Sequence, residues 1–385
     1  MTASGGTGET QTAPYVLGVP WPDLNEGLTY TDIVSSTTAG STLIQFYSSN
    51  YSDSAPPQGW IQRIQNGQIM VDGQVTTSPD ATLRNASTVV YHRLPWKEPY
   101  APYLLEVLYE DHDMVAINKP SGLQVLPGGL FQQRTVLTQL QWHSRNKTLS
   151  QDLSHKQTVQ KQCHSPVHRL GRGTSGILLC AKTKLAKSFL AGYFAHGTLT
   201  IKDSREGKME SGKTRRICKV YRTLVTGLVD KDEMEVKQPI GLMPYPGVAK
   251  GLYVASSSGK PALSKVKVLE RDETLNHTLV QVEIQSGRPH QIRIHLSFIG
   301  HPLLGDPLYV DGGQPKYFGI QQTDGDFAED GGYQRPMQAV PGDCGYYLHA
   351  HRLVLCHPTT NQLVEIVAPL PHILQTAEEK EKCSC

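Results

Sequence analysis

The sequence contains no apolar run approaching 18 residues, and hydrophobic residues make up 38% of it. A transmembrane helix needs about 20 mostly apolar residues, so the composition predicts a globular protein with no membrane span. The N-terminus also lacks a basic segment followed by an apolar stretch, and Arg63 is the first Lys or Arg in the chain. Because secretory and Arg-rich organelle signals are absent, we expect a cytoplasmic or nuclear protein.

Closely spaced cysteine pairs are missing as well. The seven cysteines include no Cys-x-x-Cys pair, so the sequence predicts neither a disulfide framework nor a metal site.

A chain of 385 residues is long enough for one large domain and a smaller module.

Acidic residues are absent from residues 153–202, which hold eight Lys or Arg residues. Residues 1–62 show the opposite bias, with five acidic residues and no Lys or Arg. A local basic field suits a polyanion such as nucleic acid, although an ordinary basic surface has the same composition.

The sequence of residues 30–95 predicts a small unit of one short helix followed by three strands. A short helix at residues 60–65 ends at Gly67, "QIMV" follows as a strand, and Asp72 with Gly73 makes a tight turn into "QVT". A further strand, "STVVYHR", closes the unit. The order resembles the α-L RNA-binding module, and the alternative is a small α+β lobe packed on the main domain.

The rest of the chain divides by composition. Residues 1–29 predict a flexible segment, and the proline-punctuated residues 96–103 predict a linker. Residues 104–372 predict one large domain of alternating strands and a few helices, with a surface insertion at 311–345. Within this domain "HTLVQVEIQ" predicts a half-buried strand and the residues after Gly287 predict a helix. A charged tail occupies residues 373–385.

Two phosphate-binding patterns occur, and neither has the required context. The glycines of "HRLGRGTSG", residues 168–176, spell GxGxxG, but "ILLCAKT" follows as a strand and the next acid is Asp203, too distant for a ribose contact. "GKMESGKT", residues 207–214, matches GxxxxGK[ST], but polar residues precede it and a strand follows. A charged β loop is the favoured interpretation, so no nucleotide cofactor is predicted.

Seven segments in a fixed order carry a more specific pattern. They resemble the corresponding segments of the RluA-type pseudouridine synthases. The segments are "NKPSGLQVLPGG" (118–129), "VHRLGRGTSGILLCAKT" (167–183), "CKVYRTLVTG" (218–227), "GKPALSKVKVLE" (259–270), "IQSGRPHQIRIHL" (284–296), "GHPLLGDPLY" (300–309) and "LHAHRLVLCHP" (348–358).

The resemblance implies an α+β protein. Its small α-L module precedes a catalytic domain built on a mixed, mainly antiparallel sheet with flanking helices. Enzymes of this family are isomerases without a cofactor, which detach uracil from its ribose, turn it and reattach it through carbon five. We therefore expect a monomeric protein that acts on structured RNA, tRNA or rRNA.

The resemblance also assigns roles to individual residues. The family has a catalytic Asp where this chain has Gly171, and Arg293 matches the basic residue that pairs with that Asp. Tyr221 matches the ring that packs on the target uracil, and Arg169 the residue that helps to hold the base out. Each of these residues, taken singly, has an ordinary alternative role. Arg169 could contact only a phosphate, Tyr221 could be a strand residue that faces the core, and Arg293 could be a cation on a helix surface.

Other matching residues predict structural roles. Gly176 and Gly287 suit tight turns, and His168 and Asp306 suit hydrogen bonds that anchor loops. The residues predicted to contact RNA are Arg169, Arg172, Trp60 and Arg63.

Gly171 departs from the family pattern at its centre, and Gly173 stands where a second family acid is expected. Glycine cannot attack, accept a proton or pair with Arg293, and losing a covalent nucleophile costs up to about a million-fold in rate. One hypothesis is an active synthase with a carboxylate from elsewhere, such as Asp306 or one within 311–345. The other is a non-catalytic RNA-binding or RNA-remodelling protein on the synthase fold.

Overall fold

The computed structural model describes residues 14–52, 54–151, 164–203, 217–245, 248–316 and 343–383. The chain divides into two compact units, and the smaller one contains the described residues between Pro22 and Pro99. The remaining described residues form the larger unit. Within them, no helix is both long enough and apolar enough to cross a membrane.

Strands outnumber helices in the described residues. In chain order the elements are β1 (Tyr15–Leu17), β2 (Leu28–Ile33), α1 (Leu43–Asn50), α2 (Pro57–Gln65), β3 (Ile69–Val71), β4 (Gln74–Val75), β5 (Thr88–Arg93), β6 (Leu105–Glu110), β7 (Met114–Lys119), α3 (Val136–Gln151), β8 (Ser165–Pro166), β9 (Ser175–Ala181), α4 (Lys184–Asp203), β10 (Cys218–Thr226), β11 (Glu233–Val236), β12 (Ile240–Tyr245), β13 (Val248–Ala255), β14 (Ser264–Asp272), β15 (His277–Ile284), α5 (Gln291–Phe298), β16 (Tyr309–Asp311), β17 (Gln314–Pro315), β18 (Leu348–Cys356), β19 (Leu363–Val367), a 3-10 turn (His372–Leu374) and α6 (Ala377–Cys383).

The smaller unit packs α1 and α2 on an antiparallel sheet with the strand order β2-β5-β3-β4. The predicted helix, strand and turn order is confirmed. Asp72 and Gly73 join β3 to β4 with φ angles of 50° and 80°, because a two-residue hairpin turn of this hand needs positive φ at both central positions.

Trp60 lies in the core of this unit rather than on its surface. Its ring stacks on Tyr47 with a centroid separation of 4.2 Å. The Arg63 guanidinium lies 4.5 Å from the Trp60 ring centroid and 5.1 Å from that of Tyr91. Only 1% of Trp60 and 3% of Arg63 is exposed, so both side chains stabilise the unit by packing.

The larger unit is built on a sheet to which eleven strands of the described residues contribute. Its main path runs β1-β6-β7-β9-β18-β10-β15-β14-β11, and β8 and β19 pair with β9 and β18. The β9–β18 pair is parallel, and the other pairs of this sheet are antiparallel. The prediction of a mixed, mainly antiparallel sheet is therefore confirmed.

Helices cover both faces of this sheet. Residues of β9 alternate between two apolar cores, because successive side chains of a strand point to opposite faces. Helices α3 and α5 contribute to one core and α4 to the other. The predicted strand and helix on either side of Gly287 are observed as β15 and α5, and Ile292 and Leu296 of α5 are buried against the sheet.

Two predicted segments contain structure that the sequence did not predict, one pattern agrees with its prediction, and one lies outside the described residues. Part of the expected flexible N-terminal segment is strand β1, which pairs with β6. In the expected charged tail, α6 places Glu379 2.8 Å from Arg222 as an ion pair. The GxGxxG pattern is followed by strand β9 rather than a helix, which confirms that it is not a dinucleotide loop. Residues 207–214, the second phosphate pattern, lie outside the described residues.

Candidate active site

The loop that carries Gly171 is attached to the sheet by His168. The Nε2 atom of His168 accepts a hydrogen bond from the backbone N–H of Leu179 in β9, at 3.0 Å. Its ring also stacks on Phe194. Burial lowers the pKa of His168 to about 3, because the charged form would lose its hydration. His168 is thus a neutral acceptor, and its predicted role as a loop anchor is confirmed.

Lys119 binds backbone carbonyl oxygens of the same loop and of the segment after β7. Its Nζ donates to the Arg172 carbonyl oxygen at 3.1 Å, and to the carbonyls of Pro120 and Leu123 at 2.8 and 2.7 Å. The side chain is fully buried, and burial lowers the pKa of Lys119 to about 7. Lys119 lies in the first family segment, 118–129, and its role was not predicted from the sequence.

Tyr346 occupies the space beside Gly171. A β-carbon at Gly171 would lie 3.1 Å from the Tyr346 hydroxyl, closer than most real contacts of this kind. That hydroxyl lies 3.3 Å from Thr174 Oγ1, within hydrogen-bond distance. Tyr346 is 4% exposed, so its phenol forms a buried wall beside Gly171. Tyr346 belongs to no sequence motif, and only its position just before the segment 348–358 connects it to the site.

Gly173 allows the backbone of Asp343 to lie in close contact with the glycine loop. Its N–H donates to the Asp343 carbonyl oxygen at 2.9 Å, and a β-carbon at Gly173 would lie only 2.4 Å from that oxygen. The Asp343 side chain accepts from Arg172 Nε at 2.9 Å and from Nη2 at 2.5 Å. The end of the predicted 311–345 insertion therefore packs directly on the glycine loop.

Arg293 lies on α5 and pairs with Asp306. Its Nε and Nη2 donate to the two carboxylate oxygens of Asp306, each at 2.7 Å. Burial alone would lower the pKa of Arg293, but the hydrogen-bonded Asp306 carboxylate outweighs it and the pKa is raised. The expected partner of Arg293 was the family's catalytic Asp, and in this chain the partner is Asp306 instead.

Asp306 is fully engaged by this pair and by its own loop. Besides Arg293, it accepts hydrogen bonds from the backbone N–H groups of Leu308 at 2.9 Å and Tyr309 at 3.1 Å. Its side chain has no exposed surface. The predicted role as a loop anchor is confirmed, and this bonding argues against Asp306 as a mobile replacement for the missing carboxylate.

Tyr346 links this ion pair to the glycine loop. The Arg293 guanidinium carbon lies 4.3 Å from the Tyr346 ring centroid, which is within cation–π range. The same ring carries the hydroxyl that lies beside Gly171. A buried cation, an aromatic ring and the Gly171 position thus follow one another in direct contact.

Tyr221 lies in β10 between Val282 of β15 and Ala350 of β18. The pairing with β18 shifts register between Val220 and Tyr221, and irregularities of this kind re-aim side chains next to active sites. Tyr221 is 9% exposed, and burial raises the pKa of its phenol to about 12. The ring belongs to the same apolar core as Tyr346, so it is a neutral aromatic side chain of that core.

The predicted RNA contacts fall in three environments. Arg169 is exposed beside the glycine loop, and Arg172 is partly buried by its ion pair with Asp343. Trp60 and Arg63 are core residues of the smaller unit, so their arrangement does not support direct RNA contact.

Of the two predicted turn glycines, Gly176 has a different role from the one expected. It is the second residue of strand β9, has a φ of 101° and lies against the backbone of Ala350, where a β-carbon would be 2.3 Å from the carbonyl oxygen. This close approach, rather than a turn, requires glycine there. Gly287 lies in the segment between β15 and α5.

Known proteins of high similarity cover almost the whole chain. RNA pseudouridine synthase 5 of Oryza sativa subsp. japonica is 60% identical over 99% of this chain and 98% of its own length. The chain belongs to the RNA pseudouridylate synthase family. RNA pseudouridine synthase 5 of Arabidopsis thaliana is 61% identical over 94% of this chain and 98% of its own length.

The family model for RNA pseudouridylate synthase matches residues 113–298. Among solved structures, human RNA pseudouridylate synthase domain containing 1 covers 74% of this chain and 96% of its own, with 21% identity and a TM-score of 0.44. Within this pseudouridylate synthase chain, the matched range contains Gly171, Tyr221 and Arg293. Asp343 and Tyr346 lie beyond it.

Proposed function

We propose that this protein isomerises uridine to pseudouridine in structured RNA, in tRNA or rRNA, and that it acts as a monomer. The observation that carries the proposal is the buried Arg293–Asp306 pair in contact with Tyr346 beside Gly171. A buried ion pair gives little net stability, because desolvation of both charges offsets their attraction. A fixed cation at this place is therefore better explained by a reaction that develops negative charge nearby.

The proposed reaction needs no co-reactant. The bond between C1′ of the ribose and N1 of uracil breaks, the uracil turns, and a bond forms between C1′ and C5. The hydrogen on C5 leaves as a proton and N1 gains a proton, so substrate and product are isomers. Within this scheme Tyr221 supplies a neutral ring for the base, and Arg293 supplies a positive charge that favours the anionic uracil.

RNA binding is proposed to use the exposed basic side of the glycine loop. Arg169 is exposed immediately before Leu170 and Gly171, where it can contact a phosphate or hold the displaced base out of its stack. Arg172 has a guanidinium that is still 23% exposed despite its ion pair. Neutralising Arg169 is expected to weaken RNA binding and to reduce its salt dependence.

A non-catalytic RNA-binding or RNA-remodelling protein is the second candidate. One observation favours it: the Tyr346 hydroxyl fills the space next to Gly171, where the family has a carboxylate. This hypothesis keeps the RNA-binding role of Arg169 and removes the reaction.

Tritium release from RNA separates the two candidates, since the C5 hydrogen is lost only if the base is isomerised. Unmodified tRNA and rRNA transcripts carrying tritium at C5 of uridine would be incubated with the natural protein and with the Gly171→Asp and Tyr221→Phe variants. Base-resolution mapping of pseudouridine would locate the product. Release by the natural protein supports the proposal. Release by Gly171→Asp alone would establish the non-catalytic protein instead.

A further inference from the structure

We propose that Asp343 supplies the catalytic carboxylate that Gly171 lacks. The inference rests on the proposed synthase activity and names the residue that makes this activity possible. Three features of Asp343 support it: the contacts with the glycine loop, the exposure of the carboxylate and the ion pair with Arg172.

Asp343 reaches the loop through both its backbone and its side chain. The carbonyl oxygen accepts the Gly173 N–H at 2.9 Å, and the carboxylate pairs with Arg172. These contacts place Asp343 against the two residues that follow Gly171. The absence of a β-carbon at Gly173 is what permits the approach, because that atom would be 2.4 Å from the Asp343 oxygen. The two glycines thus have different consequences: one removes a carboxylate and the other admits one.

The Asp343 carboxylate is accessible, unlike that of Asp306. Its side chain is 44% exposed, whereas the Asp306 side chain has no exposed surface. A substrate can therefore reach Asp343 without breaking a buried ion pair. Both Arg172 donors bind the same Asp343 oxygen, Oδ1, and we assign the reaction to the second oxygen, Oδ2.

Arg172 gives Asp343 the support that a catalytic carboxylate needs. A guanidinium that binds a carboxylate through two N–H groups fixes its orientation. The charge of Asp343 is also felt at the site, where it opposes the effect of burial on the pKa values of Lys119 and His290. Lys119 in turn holds the Arg172 carbonyl, so the ion pair stands on a fixed loop.

In the proposed step, Oδ2 of Asp343 forms a bond to C1′ while the C1′–N1 bond breaks, and N1 keeps the bonding electron pair. After the uracil turns, the C5 electron pair forms the bond to C1′ and the carboxylate leaves with its own pair. The C5 proton is lost and N1 takes up a proton. No oxidant, reductant or further reactant is needed.

The test compares Asp343→Asn with the natural protein in the tritium-release assay on tRNA and rRNA transcripts. Asn keeps an oxygen that can accept from Arg172, so the loop contacts remain while the charge is lost. We expect release to fall by about a thousand-fold or more, as for loss of a nucleophile, with RNA binding and the thermal midpoint nearly unchanged. Asp232→Asn is the matched control, because Asp232 is also an exposed carboxylate paired with an arginine, Arg271, at 2.6 Å; its release should stay within about two-fold.

Arg172→Met distinguishes a reacting carboxylate from one that only positions Arg172. If Asp343 reacts, loss of Arg172 misplaces it and should cost about a hundred-fold, less than Asp343→Asn. Equal losses in the two variants, or a parallel loss of RNA binding in Asp343→Asn, would overturn the inference. Tritium release by Asp343→Asn at the rate of the natural protein would also overturn the inference, and in that case the proposed synthase activity itself would stand. An inactive natural protein would instead contradict the proposed function, and the inference would fall with it.

Discussion

Two Arg–Asp pairs lie next to Tyr346, and they differ chiefly in their exposure. The side chains of Arg293 and Asp306 are 2% and 0% exposed, whereas those of Arg172 and Asp343 are 23% and 44% exposed. Both pairs have donor–acceptor distances of 2.5–2.9 Å. Similar geometry therefore serves two purposes: the buried pair fixes a charge in place, and the exposed pair leaves a carboxylate accessible to a substrate.

The difference follows from solvation. A charge without its partner in the buried site would lose both water and its counter-ion, while at the exposed site water replaces the partner. The buried pair is thus fixed by the cost of separating it. The exposed pair can exchange partners, as a reaction at a sugar requires.

Arginine replacement should separate the two pairs most clearly. Arg293→Met leaves the Asp306 carboxylate buried without its cation, and we expect a loss of about 3–5 kcal/mol in the free energy of unfolding. Arg172→Met removes a partly exposed pair and should cost about 0–1 kcal/mol. Urea denaturation of both variants, followed by circular dichroism, measures the two values. Similar losses would show that exposure does not distinguish the pairs.

Alanine at the two loop glycines gives the next largest contrast. A β-carbon at Gly173 meets the Asp343 carbonyl oxygen, a backbone atom, so the loop or residue 343 has to move and we expect a cost of about 1–3 kcal/mol. At Gly171 the neighbour is the end of the Tyr346 side chain at 3.1 Å, and the cost should be under about 1 kcal/mol. Thermal unfolding measures both changes.

The same two variants probe the reaction. Because Gly173→Ala displaces Asp343, its tritium release should fall well below that of Gly171→Ala, which leaves Asp343 in place. The reverse order would mean that the position of Asp343 does not control the activity.

Local patterns in the sequence predicted the elements well. The Asp72–Gly73 turn, strand β15 and helix α5 follow from turn chemistry and hydrophobic period, which depend on residues close together in the chain. The ordered family segments likewise placed Gly171, Tyr221 and Arg293 in one domain.

Contacts between distant residues could not be predicted in this way. Asp343 and Arg172 are 171 positions apart, and no local pattern links them. The burial of Trp60 and Arg63 was missed for a related reason, since both have an apolar body with a polar end and occur on surfaces and in cores. The resemblance pairs Arg293 with an acid that this chain lacks at Gly171, so it did not predict that Arg293 binds Asp306 in the loop after α5.

Low pH should lower the free energy of unfolding through His290, which lies beside the buried Arg293–Asp306 pair, by less than the loss expected for Arg293→Met. Burial and the neighbouring Arg293 lower its pKa to about 4, while the charges of Asp306 and Asp343 act in the opposite direction. The unfolded chain therefore binds a proton near pH 6.5 that the folded protein takes up only near pH 4, so stability falls as the pH drops between these values. His290→Asn should remove about 2 kcal/mol of the difference in unfolding free energy between pH 7 and pH 5. Asn suits the positive φ of 55° at this position, and His112→Asn, at a side chain that is 74% exposed, is the control. An unchanged pH dependence in His290→Asn would show that His290 is protonated alike in the folded and unfolded states, and that the buried pair does not exclude charge from its surroundings.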